Sequence, residues 1–191
     1  MATGAKSEIL GATMTPVESR SLEAFPAWLK SLAADARELA GVVENDAAAD
    51  GARKAAAAAL NYLFKSLDLI PDGLEDIGFI DDAFVFRVAA AHVASDATGD
   101  ANAVIARLAS DAALIEEFLG DVYPRLVAYV GELERAKVRG RATAEVIADG
   151  AVREDFVREV RAWADGYQAP SFLRDDKNLV KLRSFLSAKL K

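Results

Sequence analysis

The sequence predicts an all-α protein, a single compact multi-helix domain of about seven helices with an Asp-rich helix-turn-helix hairpin at its centre. Apolar residues make up 52% of the chain and aromatic residues only 8%, so alanine, the best helix former, dominates the apolar share. Glycine and proline, which interrupt helices, are sparse at 12 and 5 residues. Apolar residues recur at helical spacing, and no segment alternates as a half-buried strand would.

The chain divides into an arm and a helical domain. Residues 1–20 mix Gly, Thr, Ser and Ala without a period, so we predict a flexible N-terminal arm there. The helical domain is predicted over residues 21–191. Its first helix is expected to run from Pro26 to Glu44, because proline suits the first position of a helix. The second is expected over ARKAAAAALNYLF, residues 52–64, where helix propensity is high.

Further helices follow from apolar periodicity and from glycine or proline at their ends. They are expected over residues 79–95, 100–118, 124–133, 143–147, 152–163 and 171–191. The last is a basic amphipathic helix that Ser171 is placed to cap, with an apolar stripe opposite several Lys and Arg residues.

Charge is divided unevenly between this last helix and the rest of the chain. Residues 174–191 hold six Lys or Arg and two Asp, a net charge of +4, which leaves 17 basic and 28 acidic residues elsewhere, a net charge of -11. The basic helix can pack its stripe on the acidic body of its own domain, dock on another protein, or lie on an anionic membrane surface. The sequence leaves these three interpretations open.

Composition excludes several classes of function. A formal net charge of -7 is unsuited to a nucleic-acid-binding protein, which needs clustered Lys and Arg. The chain has no cysteine, which excludes disulfides and thiolate metal sites and fits a reducing compartment. No apolar stretch reaches the roughly 18 to 20 residues that span a bilayer. We therefore expect a cytoplasmic protein, with membrane contact, if any, peripheral and through the C-terminal helix.

One segment concentrates acidic residues. Residues 66–82, SLDLIPDGLEDIGFIDD, carry six Asp or Glu and no Lys, Arg or His. We call these residues the acid turn. Ile70 precedes Pro71 and is pushed away from helical conformation, so the second helix must end before it. Asp72 and Glu75 have the spacing of a capping box, which predicts a short turn of helix over residues 73–77.

The acid turn and its flanks resemble a known signature. ALNYLFKSLDLIPDGLEDIGFIDDA contains an Ala-Leu-x-Tyr element, an Asp-Leu-Ile-Pro-Asp element and a Gly-aromatic-x-Asp-Asp-Ala element, in that order. In this it resembles the YkvA-like family, also called DUF1232, over about residues 55–95. The resemblance implies a helical hairpin around the Asp-rich turn and brings no assigned reaction. Ser66 stands where the family usually has proline, and Glu75 with Asp76 replaces a mostly apolar stretch.

Two interpretations of the aspartates are open. In the architectural one, Asp72 caps a helix, Asp81 and Asp82 lie in the first turn of the next helix, and Asp68 bonds backbone N–H groups before Pro71. In the other, Asp68, Asp72, Asp81 and Asp82 bind a hard cation, Mg²⁺, Mn²⁺ or Ca²⁺, through their oxygens. We favour the architectural interpretation and expect no other cofactor.

Other sites lack the residues they need. An EF-hand loop beginning at Asp68 would have Ile70 at its third position and Phe79 at its twelfth, where the bidentate glutamate belongs. His92 is the only histidine and lies about three helical turns beyond Asp81, too far to share a ligand set with it. With no cysteine and one histidine, the chain lacks convincing material for a zinc site or a His-based relay.

Two hypotheses of function follow. The favoured one is a non-catalytic helical binding or scaffold module, whose partner is another protein, a second copy of itself or the membrane surface. The alternative is a divalent-metal-dependent, hydrolase-like enzyme that uses the acid turn. No catalytic residue is assigned under the first.

Overall fold

The computed structural model describes residues 14–95 and 100–191, and it confirms the all-α fold. In chain order the helices are α1 (Pro16–Glu44), α2 (Asp50–Tyr62), α3 (Ile80–Val93), α4 (Asp100–Ser110), α5 (Ala112–Leu119), α6 (Tyr123–Leu133), α7 (Thr143–Ala148), α8 (Gly150–Gly166) and α9 (Asp176–Lys189). A break at Asp111 divides one predicted helix into α4 and α5. A short hairpin of β1 (Lys137–Val138) and β2 (Arg141–Ala142), which the sequence analysis did not predict, joins α6 to α7.

Helix α1 begins ten residues before the predicted start at Pro26, so that prediction is wrong. Thr15 is the N-cap: its hydroxyl accepts from the Glu18 N–H at 3.2 Å, while the Glu18 carboxylate accepts from the Thr15 N–H at 2.8 Å. This capping box satisfies two of the unpaired donors at the helix start. Pro26 lies buried inside α1, and the helix continues through it. The predicted arm therefore loses its last residues to α1, and its residues 1–13 lie outside the described part of the chain.

The core is built around α3, whose residues are buried on nearly every side. Helix α2 packs against it with a run of buried alanines, Ala55 to Ala59, whose small side chains allow the two helix backbones to approach closely. Helix α1 covers both. The α2–α3 hairpin that the resemblance implied is therefore present, and its connection, residues 63–79, contains most of the acid turn.

Helix α9 packs its apolar stripe on its own domain. Leu179, Leu182, Leu186 and Leu190 are all buried. The helix starts at Asp176 with Asp175 as N-cap, so the predicted start at Ser171 is wrong. The stripe therefore packs on its own domain, which is the first of the three interpretations given above. Contact between this helix and a membrane stays a prediction. Within the described ranges, no helix has the length and apolar character needed to cross a bilayer.

Candidate functional site

The backbone of the acid turn folds tightly on itself without forming the helix predicted over residues 73–77. Backbone hydrogen bonds join Leu74 N–H to Pro71 O at 2.9 Å and Gly78 N–H to Leu74 O at 2.8 Å. A Cβ on Gly78 would lie 2.2 Å from the Asp72 carbonyl oxygen, so only glycine fits there. Two non-glycine residues, Asp76 and Phe79, have positive φ values of 70° and 63°, a conformation that stores strain.

Asp81 organises the connection from inside the core. Its side chain is 0% exposed. Oδ2 accepts two hydrogen bonds, from the Tyr62 hydroxyl at 2.6 Å and from the Ile70 N–H at 2.9 Å. The same Tyr62 hydroxyl accepts from the Leu69 N–H at 2.7 Å. The pair Tyr62–Asp81 therefore satisfies the two backbone donors that precede Pro71, which is the task predicted for Asp68.

Asp82 is the most isolated carboxylate. It is 2% exposed, and its Oδ2 has no hydrogen-bond partner among the described residues. Burial raises the pKa of Asp82 well above the ordinary range. The negative charges of Asp81, Asp72 and Asp68 raise it further. Burial also raises the pKa of Asp81 to about 7, although the hydrogen bonds from Tyr62 and Ile70 oppose this. Both lie in the first turn of α3, as predicted, but neither faces water.

Asp68 and Asp72 lie nearer the surface. Burial and the neighbouring charge of Asp72 raise the pKa of Asp68 to about 6, with the cation of Lys65 opposing the shift. The Oδ1 atom of Asp68 is buried without a hydrogen-bond partner in the described chain. Asp72 is exposed and makes no side-chain hydrogen bond there, so the predicted cap is not formed, and partial burial raises its pKa.

The four aspartates therefore form one electrostatic group. Each of Asp68, Asp81 and Asp82 has an unpartnered buried oxygen. Among residues 14–95 and 100–191, however, no three His, Cys, Asp or Glu side chains are placed to hold one metal ion together. Protonation removes the like-charge repulsion without any ion, because the raised pKa values favour neutral acids. The predicted cation site stays a hypothesis for titration to decide.

Comparison with known proteins matches residues 52–87 to the model of one family, described as "Protein of unknown function (DUF1232)". Residues 52–87 are similar to this family, and we call them the DUF1232 segment. It runs from α2 through the acid turn to Arg87 on α3, so Tyr62, Asp81 and Asp82 all lie inside it. No curated protein and no solved structure matches the chain.

The DUF1232 segment also presents an aromatic side chain at the surface. Phe79, the N-cap of α3, lies edge-on to Tyr167 with ring centroids 5.3 Å apart, and Tyr167 stacks on Trp163 at 5.0 Å. The three half-buried rings line a cleft of about 390 Å³, which we call the aromatic cleft. Gly166 and Gln168 complete one side of it. The Tyr167 hydroxyl donates to Leu29 O at 2.9 Å, which anchors α8 to α1.

The end of the DUF1232 segment contributes to a buried ion cluster, the Arg87 cluster. Arg87 is 1% exposed, its Nε lies 3.0 Å from Asp111 Oδ2 and its Nη2 lies 3.5 Å from Asp35 Oδ2. Arg107 Nη2 reaches Asp35 Oδ1 at 2.9 Å. The Arg87 guanidinium also stacks over Trp28, 4.3 Å from the ring centroid.

Sequence reasoning missed this cluster and the bond between Tyr62 and Asp81. A signal for the cluster was present, because Asp35 falls on the apolar face of α1 between Leu32 and Leu39. Arg87 likewise interrupts an otherwise apolar helix. Charged residues on an apolar face indicate buried partners, but the sequence does not say which charges meet.

Proposed function

We propose that the protein is a non-catalytic helical binding module whose aromatic cleft receives a Lys or Arg side chain from a partner protein. The observation that carries the proposal is Phe79, held at φ 63° where its half-exposed ring joins Trp163 and Tyr167. A bulky non-glycine residue rarely adopts this conformation, and such strain clusters at functional positions.

The lining of the cleft favours a cation. Aromatic faces attract Lys and Arg side chains through their negative π surface. None of the residues lining the cleft carries a charge: they are Phe79, Ala162, Trp163, Gly166, Tyr167 and Gln168. A partner's carboxylate would find no positive group in that lining. Burial raises the pKa of Tyr167, and the nearby carboxylate of Asp72 adds to this effect, so the electrostatic potential at the cleft favours positive charge.

The charge of the whole domain supports the same class of partner. Outside residues 174–191 the chain has a net charge of -11. A body of this sign steers basic segments toward it and increases their rate of encounter. A basic partner segment therefore meets long-range attraction from the body and short-range attraction from the rings.

The test is a titration of the full chain with a synthetic peptide of six alternating Arg and Ser residues, followed by the two indole N–H signals in ¹H–¹⁵N NMR. Trp163 lines the cleft, whereas Trp28 is 7% exposed beneath Arg87. We expect the Trp163 signal to shift saturably and the Trp28 signal to stay in place. Trp163→Leu, whose affinity is measured by isothermal titration calorimetry because it lacks the reporting indole, keeps an apolar side chain. It should weaken peptide binding by about fivefold, the size of one exposed cation–π contact.

Phe185→Leu is the matched control, since Phe185 is a half-buried ring on α9 outside the cleft. It should bind the peptide as the wild type does. A peptide with Glu in place of Arg should not bind. Equal affinity of Trp163→Leu and wild type, or binding of the Glu peptide, contradicts the proposal. A Trp163 shift that grows with protein concentration alone would instead indicate self-association.

The second candidate is a divalent-metal-dependent enzyme at Asp68, Asp72, Asp81 and Asp82. The unpartnered oxygens of Asp68, Asp81 and Asp82 favour it, because buried carboxylate oxygens need a proton, a donor or a cation. We rank it second because burial raises the pKa of Asp82 well above the ordinary range and that of Asp81 to about 7, so protons meet much of that need. Its test is the cation titration described in the Discussion.

A further inference from the structure

A second concave surface lies between the segment that follows α2 and the β1–β2 hairpin. It has a volume of about 410 Å³. Its apolar lining comes from the buried side chains Phe64 and Val138, with Leu63 beside them. Polar side chains complete the lining, and they are Lys65, Ser66, Asp72, Lys137 and Arg139. We call this surface the cation-rimmed pocket.

The pocket has the opposite charge to the domain that carries it. Three cationic side chains and one carboxylate line it, a surplus of two positive charges, whereas the chain as a whole has a net charge of -7. Within the described ranges Arg139 and Lys65 form no ion pair, and Lys137 reaches Glu145 only at 4.0 Å. Lys65 instead donates to the Tyr129 hydroxyl and lies near the charge of Asp68. Arg139 and Lys137 are therefore the cations most available to an added anion.

Arg139 has a backbone conformation that is unfavourable for a residue other than glycine. Arg139 and Gly140 are the two central residues of the hairpin, with φ values of 51° and 81°. Two positive φ values are typical of a type I′ turn, for which Asn-Gly is favoured and arginine is poorly suited. The guanidinium lies over the Phe64 ring, 5.0 Å from its centroid, at the rim of the pocket. A strained turn thus holds an unpaired cation beside an apolar surface.

We propose that the cation-rimmed pocket binds a phosphate monoester. The dianionic phosphate would bind the guanidinium of Arg139 and the ammonium groups of Lys65 and Lys137. Its charge of about -2 at pH 7 matches the surplus of two positive charges. The organic part of the ester would cover Phe64 and Val138, and Asp72 would accept a hydrogen bond from a hydroxyl group on it. This site is separate from the aromatic cleft and does not rest on the function proposed for that cleft.

The experiment is an NMR titration of the full chain with phenyl phosphate at pH 8 and constant ionic strength, followed at the backbone amides of residues 65, 66 and 137–139. We expect saturable shifts at these amides, and weaker binding of inorganic phosphate because it lacks the apolar part. Arg139→Asn and Lys65→Gln should each weaken phenyl phosphate binding about tenfold, the loss of one hydrogen bond to a charged group.

The variants separate binding from folding. Arg139→Asn installs the favoured Asn-Gly turn, so it should melt no lower than the wild type while it loses affinity. Lys30→Gln removes an exposed cation of α1 that does not line the pocket, and it should bind as the wild type does. Unchanged affinity of Arg139→Asn overturns the proposal. Equal weakening by Lys30→Gln, or shifts that do not saturate, overturns it as well.

A second arm distinguishes a soluble ester from a lipid headgroup. The protein is sedimented with phosphatidylcholine vesicles that contain or lack phosphatidic acid. Sedimentation that requires phosphatidic acid and is lost in Arg139→Asn supports the pocket with a lipid as its ligand. Phenyl phosphate binding without sedimentation supports it with a soluble ester. Absence of both overturns the proposal.

Discussion

The acid turn and the Arg87 cluster share helix α3, yet their buried carboxylates have different partners. Asp35, 2% exposed, contacts Arg87 and Arg107, so its charge is balanced by opposite charge. Asp82, equally buried, has three acidic neighbours and no cation among the causes of its raised pKa. One group of acids therefore has opposite charge beside it, whereas burial and neighbouring acids raise the pKa in the other group, which favours binding of protons. The two environments lie close together, since Asp82 and Arg87 are separated by only about a turn and a half of α3.

The comparison teaches that buried carboxylates of one domain can affect stability in opposite ways, according to the charges beside them. A buried carboxylate paired with a cation is costly to leave without that partner. Buried carboxylates with raised pKa values are most compatible with the fold in acid and oppose it as they ionise.

Breaking the Arg87 cluster should have the largest effect. Arg87→Met keeps an apolar stem over Trp28 but leaves Asp35 buried beside only one cation. We expect the free energy of unfolding to fall by about 3 to 5 kcal/mol, the cost of removing one partner from a buried pair. Chemical denaturation at pH 7 measures it.

Arg107→Met is the matched control for Arg87→Met. The Arg107 side chain is 45% exposed, and Asp35 keeps Arg87 in that variant. Its cost should be no more than about 1 kcal/mol, as for exposed ion pairs. If Arg107→Met lowers the free energy of unfolding as much as Arg87→Met does, the burial of Arg87 does not determine its contribution to stability.

Neutralising the acid turn should stabilise the protein. The pKa of Asp81 rises from the ordinary 3.8 to about 7, so the folded protein binds this proton more tightly than the unfolded chain does. The stability that this proton contributes is complete below pH 3.8 and is lost as pH rises through about 7. Wild-type stability should therefore fall between pH 5 and pH 8.

Asp82→Asn has the same shape as the protonated acid and cannot ionise. At pH 8 it should raise the free energy of unfolding, because burial and the neighbouring acids raise the pKa of Asp82 and so oppose its ionised form in the folded protein. At pH 4 the wild type and the variant should differ little. Asp149→Asn, at the exposed N-cap of α8, is a control that should not stabilise at either pH. A destabilised Asp82→Asn at pH 8 would contradict the proton-based account.

The smallest expected effect is that of divalent cations. Melting temperature is measured against Mg²⁺, Mn²⁺ or Ca²⁺ at pH 8 and constant ionic strength. A ligand that binds only the folded state raises the melting temperature saturably. We expect no saturable rise, because no three carboxylates are arranged around one point in the described part of the chain. A saturable rise that disappears in Asp82→Asn would favour the metal-dependent enzyme instead.

Local features of the fold were predictable from the sequence. Helix propensity and apolar periodicity act within a few residues, so the all-α class, the α2–α3 hairpin and the position of Asp81 and Asp82 could be predicted. The start of α1 was also encoded locally, in Thr15 and Glu18. It was missed because Pro26, which also suits a first helical turn, was given more weight.

The chemistry of the site was not predictable in the same way. Tyr62 and Asp81 are separated by 19 residues, and Arg87 and Asp35 by 52. Which of two adjacent aspartates finds a donor depends on how α2 packs on α3, and no local pattern contains that information. Asp82 and Asp81 are identical in sequence terms and differ only in what the fold places against them.

Side chains of helix α9 bind main-chain oxygens of the acid turn. This affects the order in which contacts form during synthesis. Asn178 Nδ2 donates to Asp76 O at 3.2 Å and Lys181 Nζ to Glu75 O at 2.9 Å. These bonds join residues 102 and 106 positions apart. Because a ribosome releases the chain from its N-terminus at about 5 to 20 residues per second, the acid turn is synthesised several seconds before α9. The bonds from α9 to the acid turn can therefore form only after the DUF1232 segment has been synthesised and α9 has emerged.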